Sequence, residues 1–142
     1  MKFIDNIYEE NEDGTKESIT LIRHLGLIFS GKAIAAPDEP NPSELFGGRL
    51  SEARAILHAF QYEKDLKKEE YNTINNFIKA CSCTKNFDKD SPSAKVMFHQ
   101  LNIAEKKYNK SKMRVEITKK AIKEMMDNRD KYFKKRAKQI KE

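Results

Sequence analysis

Apolar side chains near the start of this chain recur at helical spacing. Between Thr15 and Gly31 the recurring positions are Leu21, Ile22, Leu25, Ile28 and Phe29. This spacing is typical of one face of an α-helix, and glycine is a common residue just beyond a helix C-terminus. The pattern predicts a short core helix that ends near Gly31. For residues 1–8 a helical turn and a short strand both remain open.

Three prolines interrupt the pattern in the next segment. Pro37, Pro40 and Pro42 lie within residues 31–43, and each proline disfavours helix at the residue before it. We therefore expect a loop or extended connector at 31–43. A spacer between two helices is favoured over a proline-rich ligand, because the segment lacks the P-x-x-P pattern.

Helical spacing returns after Gly47 and Gly48. The apolar positions of this region are Leu50, Ala53, Leu57, Phe60, Tyr71, Ile74, Ile78 and Cys81. Ser51 is a candidate N-cap. A single helix through this region would place Lys64 and Lys67 in its buried stripe, so we predict a tight turn at 64–67. The result is a helical hairpin over about 50–82.

The last third of the chain has the composition of one long helix. Ser91 is a candidate N-cap with Pro92 at the first helical position, and no glycine or proline follows up to Glu142. We predict a helix over about 92–141, roughly 75 Å long at 1.5 Å per residue. The whole chain is therefore predicted to be an all-α single domain, with an acidic helical body at 1–90 and a basic helix at 91–142.

Two apolar seams run along this predicted helix. One passes through Met97, Val115 and Phe133, and the second lies roughly 120° away and includes Ile103 and Ile117. A body of about 90 residues is too small to cover both seams of such a rod. We therefore expect association with another copy or a helical partner through Val115, Ile117, Ile122, Met125, Met126 and Phe133. Alternatively, the second seam completes the core around a helix broken near 108–112.

Charge is distributed unevenly along the chain. Residues 1–90 have a net charge of −4 and residues 91–142 a net charge of +10. The last helix carries a basic face made of Lys131, Lys134, Lys135, Lys138 and Lys141. Nucleic acid, an acidic protein surface and a solvated face with no partner are all compatible with it. The two aromatic residues Tyr132 and Phe133 are expected to pack rather than stack on bases.

The sequence contains no recognisable catalytic or cofactor motif. Cys81 and Cys83 lack the further ligands that a zinc site needs, and His24, His58 and His99 lie in or beside predicted helices. We expect no cofactor, no metal and no enzymatic activity. The first residues turn acidic too early for a signal peptide and no long apolar run follows, so a cytoplasmic protein without a membrane segment is expected.

These observations favour one function over two alternatives. The leading hypothesis is a non-enzymatic assembly or adaptor protein that self-associates and presents Lys and Arg side chains to an anionic partner. The first alternative is a nucleic-acid-binding accessory factor with little sequence preference. An inhibitor of a host enzyme is the third hypothesis.

Overall fold

The chain begins with a three-stranded antiparallel sheet, so the predicted all-α class is wrong. The computed structural model describes residues 1–35 and 44–141, with side chains for 1–35 and 46–131. The strands are β1 (Lys2–Glu10), β2 (Lys16–His24) and β3 (Leu27–Ala35), and they lie in the order β1-β2-β3. The fold therefore combines a sheet with two helices, and neither the all-α class nor the helical bundle describes it.

The predicted core helix near Gly31 is in fact the β2–β3 hairpin. Along β2, Ser18, Thr20 and Ile22 are buried on one face, while Ile19 and Leu21 alternate with them on the other. Because apolar residues occur on both faces, the period-2 alternation of a strand is masked. The β-branched residues of this region favour a strand, and this preference outweighs the coincidental helical spacing.

A two-residue turn connects β2 to β3. Leu25 and Gly26 both have positive φ angles, 53° and 77°. This is the geometry of a type I′ turn, whose twist matches that of the flanking strands. Asn-Gly is the usual sequence there and leucine at positive φ is strained, so the turn carried no recognisable sequence signal.

Two long helices follow the sheet. Helix α1 spans Glu44–Ser82 without interruption, so both the predicted turn at 64–67 and the hairpin over 50–82 are wrong. Ser51 is an interior residue of α1 rather than its N-cap. Of the predicted loop at 31–43, residues 31–35 belong to β3 and residues 36–43 lie outside the described part of the chain.

Helix α2 spans Pro92–Lys141, which is the range predicted from the sequence. The predicted N-cap is confirmed, because the Ala94 backbone N–H donates to Ser91 Oγ at 3.2 Å. The helix is not broken near 108–112. Within the described residues, neither helix contains an apolar stretch long enough to cross a membrane.

The chain divides into two compact units. Unit 1 contains residues 1–59 and 116–142, and unit 2 contains residues 60–115. The core of unit 1 brings Ile22 of β2 together with Ala55 and Ala59 of α1, and Phe29 and Ile56 pack at its margin. Small residues of α1 therefore face the sheet.

In unit 1, the backbone of α1 approaches the sheet closely at Gly31. A Cβ atom at this position would lie 2.0 Å from the Ser51 carbonyl oxygen and 2.2 Å from the Ala55 nitrogen. Such distances are below any van der Waals contact, so glycine is required there. Gly31 is thus a packing position in the middle of β3, and not a helix terminus as predicted.

A chain of hydrogen bonds joins the same surfaces. Asn6 Nδ2 donates to Thr20 Oγ1 at 2.9 Å, the Thr20 and Ser51 hydroxyls are 2.7 Å apart, and Ser51 Oγ donates to the Gly48 carbonyl at 3.0 Å. Thr20 and Ser51 are fully buried. Each buried hydroxyl is therefore satisfied by another group of the network, as burial requires.

Two side chains of α1 cover the free edge of β3. Arg54 Nη1 donates to the Lys32 carbonyl at 2.7 Å, and His58 Nδ1 donates to the Ser30 carbonyl at 2.7 Å. In a hairpin closed by a two-residue turn, the carbonyls of Ser30 and Lys32 point away from β2. Arg54 and His58 are four residues apart on α1, so both reach this edge.

Candidate functional site

The densest run of basic residues with described side chains lies in α2, within unit 2. Residues 106–114, with the sequence KKYNKSKMR, contain five Lys or Arg residues and no acidic residue. All nine residues are helical. Lys107, Lys110 and Arg114 follow one another at spacings of three and four residues, so they lie along one side of the helix.

Contacts between α1 and α2 position this basic run. The rings of Tyr71 and Tyr108 are stacked, with centroids 6.5 Å apart and an interplanar angle of 15°. Ser111 is buried, and its hydroxyl donates to the Lys107 carbonyl at 3.0 Å. A small residue at 111 leaves space between larger side chains on either side, and a groove opens there.

The groove has a volume of about 230 Å³ and opens to solvent. Six residues line it, namely Glu63, Lys67, Lys107, Lys110, Ser111 and Arg114. Four of the six side chains are cationic and one is anionic. The lining therefore has a formal charge of +3, which attracts anions.

The cations of the groove differ in how they are held. Arg114 lies 3.8 Å from a carboxylate oxygen of Glu63 and 5.9 Å from the ring of Phe60, so its guanidinium is oriented from two sides. Lys67 is 3.6 Å from Glu70. Among the side chains that the structure describes, Lys107 and Lys110 form no ion pair. These two ammonium groups are the ones most available to an incoming anion.

Family models, curated proteins and solved structures give no match to this chain.

The C-terminal basic face predicted from the sequence is described only in part. Lys131 is exposed on α2. The side chains of Lys134, Lys135, Lys138 and Lys141 lie outside the described residues. The structure therefore places one of the five predicted anion-binding residues on the surface.

The predicted association seam is divided between interior and surface. Val115 is fully buried within the chain, whereas Ile117 is 61% exposed. Ile122, Met125 and Met126 are half-buried, and the side chain of Phe133 lies outside the described residues. Arg54 of α1 donates to Met126 Sδ at 3.6 Å, so this part of the seam contacts the chain's own α1. Of the described seam residues, Ile117 offers the most exposed surface.

Sequence reasoning missed the groove for an identifiable reason. The sequence offers residues 108–112 as a candidate helix break, although 106–114 show the same density of basic residues as the C-terminal tail. Lys67 falls in the predicted turn at 64–67, which the structure shows to be helical. Recognising the site requires the pairing of α1 with α2, which brings Lys67 to Lys107 and Lys110.

Cys81 and Cys83 are both free thiols. Cys81 is half-buried near the end of α1, and Cys83 is exposed in the connection to α2. Within the described residues, no group of three or more His, Cys, Asp or Glu side chains is arranged to hold a metal ion.

Proposed function

We propose that this chain is a non-enzymatic binding protein whose basic groove in unit 2 holds backbone phosphates of a nucleic acid. The observation that supports this proposal is the convergence of Lys67, Lys107, Lys110 and Arg114 on one open groove. Lysine and arginine are the usual partners of phosphate oxygens in such complexes.

The spacing of the cations favours a chain of anionic groups over a single one. Lys107, Lys110 and Arg114 extend along about 10 Å of helix at 1.5 Å per residue. This spread along the helix axis allows contacts with consecutive phosphates of a strand, which a single small anion does not offer. Phosphate contacts carry no base information, so little sequence preference is expected. Tyr71 and Tyr108 stack on each other and are assigned to packing rather than to base recognition.

Binding of a labelled oligonucleotide of mixed sequence, followed by fluorescence anisotropy over a salt titration, tests the proposal. The double variant Lys107→Glu/Lys110→Glu should weaken binding by at least tenfold. Because each phosphate contact contributes about 0.7 to 0.9 to the salt slope, the loss of two contacts should lower that slope by about 1.4 to 1.8. Lys85→Glu/Lys95→Glu makes the same change in charge at two exposed residues of unit 2 outside the basic run, and should retain more of the affinity and of the slope.

Three results would contradict this assignment. Binding without a salt slope would exclude phosphate contacts. Loss of binding in Lys134→Glu/Lys135→Glu but not in the groove variant would move the site to the C-terminal face. Full competition by a poly-aspartate peptide at equal charge concentration would identify an acidic protein as the preferred partner.

Self-association is a second candidate function, and the exposure of Ile117 on α2 is the observation that favours it. A second chain that packs on this face of α2 would remove the Ile117 side chain from water. Sedimentation at tens of micromolar should show a concentration-dependent mass that Ile117→Glu abolishes. A constant monomer mass for the wild type would contradict it.

A further inference from the structure

The face of the sheet that points away from α1 carries apolar and charged residues in an ordered arrangement. Thr20 faces α1, as its contact with Ser51 shows. Since side chains alternate along a strand, Glu17, Ile19, Leu21 and Arg23 of β2 point to the opposite side. We call this side, with the residues of β1 and β3 paired to these four, the outer face.

The strand register arranges the outer face in rows across the three strands. The row at the end near the β2–β3 turn contains Lys2, Arg23 and Ile28. The row at the opposite end contains Glu9, Glu17 and Ile34. The two rows between them contain Asp5, Leu21 and Ser30 in one and Ile7, Ile19 and Lys32 in the other. Lys32 forms an ion pair with Glu17 of the neighbouring strand. On β1 and β2, one end of the outer face is thus basic and the other acidic, and Leu21 and Ile19 form an aliphatic centre on β2.

The aliphatic residues of the outer face are accessible. Ile28 and Ile34, both on β3, are 59% and 58% exposed, and Ile7, Ile19 and Leu21 are half-buried. Antiparallel sheets commonly leave one face to water, but that face then usually carries polar residues. Isoleucines on an open face are typical of a contact surface.

We infer that the outer face is a docking surface for a second copy of this chain, stacked sheet on sheet with its strands reversed. The two copies are related by a rotation of 180° about an axis that lies between the two sheets, parallel to the sheets and perpendicular to the strands. This rotation sets the first row of one copy over the last row of the other. This places Lys2 over Glu9, Arg23 over Glu17 and Ile28 over Ile34. In the middle rows, Leu21 meets Ile19 at the centre, while Asp5 lies over Ile7 and Ser30 over Lys32.

The order of charges selects this arrangement over its competitor. Stacking about a two-fold axis parallel to the strands would exchange β1 and β3, and would set Arg23 over Arg23 and Glu17 over Glu17, so like charges would meet along β2. In the reversed arrangement each contact occurs twice, as in any two-fold symmetric interface. In this arrangement the basic end of one outer face meets the acidic end of the other. A second copy of this chain is therefore the partner that fits the outer face.

The edges of the sheet offer a poorer route to the same partner. Arg54 and His58 occupy carbonyls of the β3 edge. On β1 the register shifts between Phe3 and Asp5, which interrupts the regular ladder of that edge. Covered and irregular edges disfavour pairing with a further strand, so stacking through the outer face is the more accessible mode.

The size of the outer face sets the strength of the contact. Nine-residue strands are about 30 Å long and three of them about 14 Å wide, which gives about 400 Å² per copy. Stable complexes bury about 800 Å² per partner. We therefore expect a weak dimer that populates at high concentration and dissociates as salt screens its ion pairs. This inference is independent of the proposed phosphate groove.

A charge-swap cycle measured by sedimentation equilibrium at low salt tests the inference. Lys2→Glu and Glu9→Lys each set like charges against each other twice, so each should raise the dimer dissociation constant about tenfold. The double variant Lys2→Glu/Glu9→Lys restores both pairs and should return to within about threefold of the wild type. Lys95→Glu, which makes the same charge change on α2, should leave the constant unaltered.

A wild-type chain that stays monomeric at about 500 µM and low salt would overturn the inference. A double variant whose dimer dissociation constant is as high as those of the single variants would also overturn it, because only contact between residues 2 and 9 of different copies predicts the rescue. Loss of the dimer in Ile117→Glu with no effect of Lys2→Glu would assign self-association to α2 instead. None of these results depends on oligonucleotide binding, so the two proposals fail separately.

Discussion

Replacing Gly31 with alanine should separate α1 from the sheet. The added Cβ would meet the Ser51 carbonyl oxygen at 2.0 Å and the Ala55 nitrogen at 2.2 Å. Both atoms belong to the backbone of α1, so no side-chain rotation can relieve the overlap. The helix must retreat by about 1.5 Å to reach an ordinary van der Waals separation.

This retreat lowers the free energy of unfolding because it breaks contacts between α1 and the sheet. The bonds between Thr20 and Ser51, from Arg54 to the Lys32 carbonyl and from His58 to the Ser30 carbonyl are each 2.7 Å long and would open to about 4 Å. At about 1 kcal/mol each they account for about 3 kcal/mol. Loosened packing adds about 1 to 3 kcal/mol. The sum of about 4 to 6 kcal/mol is a large part of the stability of a domain.

Urea denaturation followed by circular dichroism measures the effect. Gly31→Ala should lower the free energy of unfolding by about 4 to 6 kcal/mol or leave unit 1 unfolded. The adjacent Ser30→Ala, an exposed position on the same strand, should change it by less than about 0.5 kcal/mol. A Gly31→Ala protein as stable as Ser30→Ala would show that α1 does not pack on β3 as described.

Three further substitutions examine separate features. Leu25→Asn should raise the melting temperature by about 3 °C, because asparagine tolerates the positive φ of 53° at this turn position better than leucine does; a lower melting temperature would contradict the turn. Val115→Ala should cost about 2 kcal/mol of unfolding free energy and Ile117→Ala almost none, since the first residue is buried and the second is exposed; equal losses in urea denaturation would refute this distinction. The hydrogen bond and ion pair with Lys32 hold the pKa of the Glu17 carboxyl below its ordinary value of 4.5. The contribution of this pair to the free energy of unfolding should therefore be fully present above pH 4.5 and should be lost as pH falls through the lowered pKa. In urea denaturation, the free energy of unfolding of Glu17→Gln should decline less over the same pH range than that of the wild type. Identical pH profiles for the two proteins would contradict this contribution of Glu17.

The helices and the strands differed in how far sequence could predict them. The bounds of α2 follow from local physics, since Ser91 and Pro92 start the helix and no glycine or proline interrupts it afterwards. Nothing local marks the β2–β3 turn, because Leu25 stands where asparagine is usual. The helical spacing of that segment therefore predicts a helix, although the structure is a hairpin.

The predicted start of α1 after Gly47 and Gly48 and the predicted turn at 64–67 are both wrong. The glycines and lysines that suggested them are explained by contacts with other elements. A Cβ on Gly47 would lie 2.7 Å from Ser18 Oγ, so this glycine allows the sheet to approach and does not mark the helix start. Lys64 and Lys67 suggested a turn because a buried lysine is costly. In the structure Lys67 instead lines the groove of unit 2. Both explanations require knowledge of which elements are neighbours.

The candidate sites show the same limit. The basic run at 106–114 can be seen in the sequence, but its acidic and basic neighbours Glu63 and Lys67 come from the other helix. The ordered rows of the outer face depend on the pairing of β1 with β2 and of β2 with β3. Spacing along the chain cannot reveal either arrangement until the register is known.

The covered edge of β3 has a consequence for how copies of this chain can accumulate. Open strand edges allow addition of one molecule after another, which is how cross-β fibrils grow. With Arg54 and His58 bound to the Lys32 and Ser30 carbonyls, addition at this edge would first have to displace both side chains. Loss of these two caps, as in an Arg54→Ala/His58→Ala protein, would leave a nine-residue strand rich in isoleucine and alanine open to polymerisation.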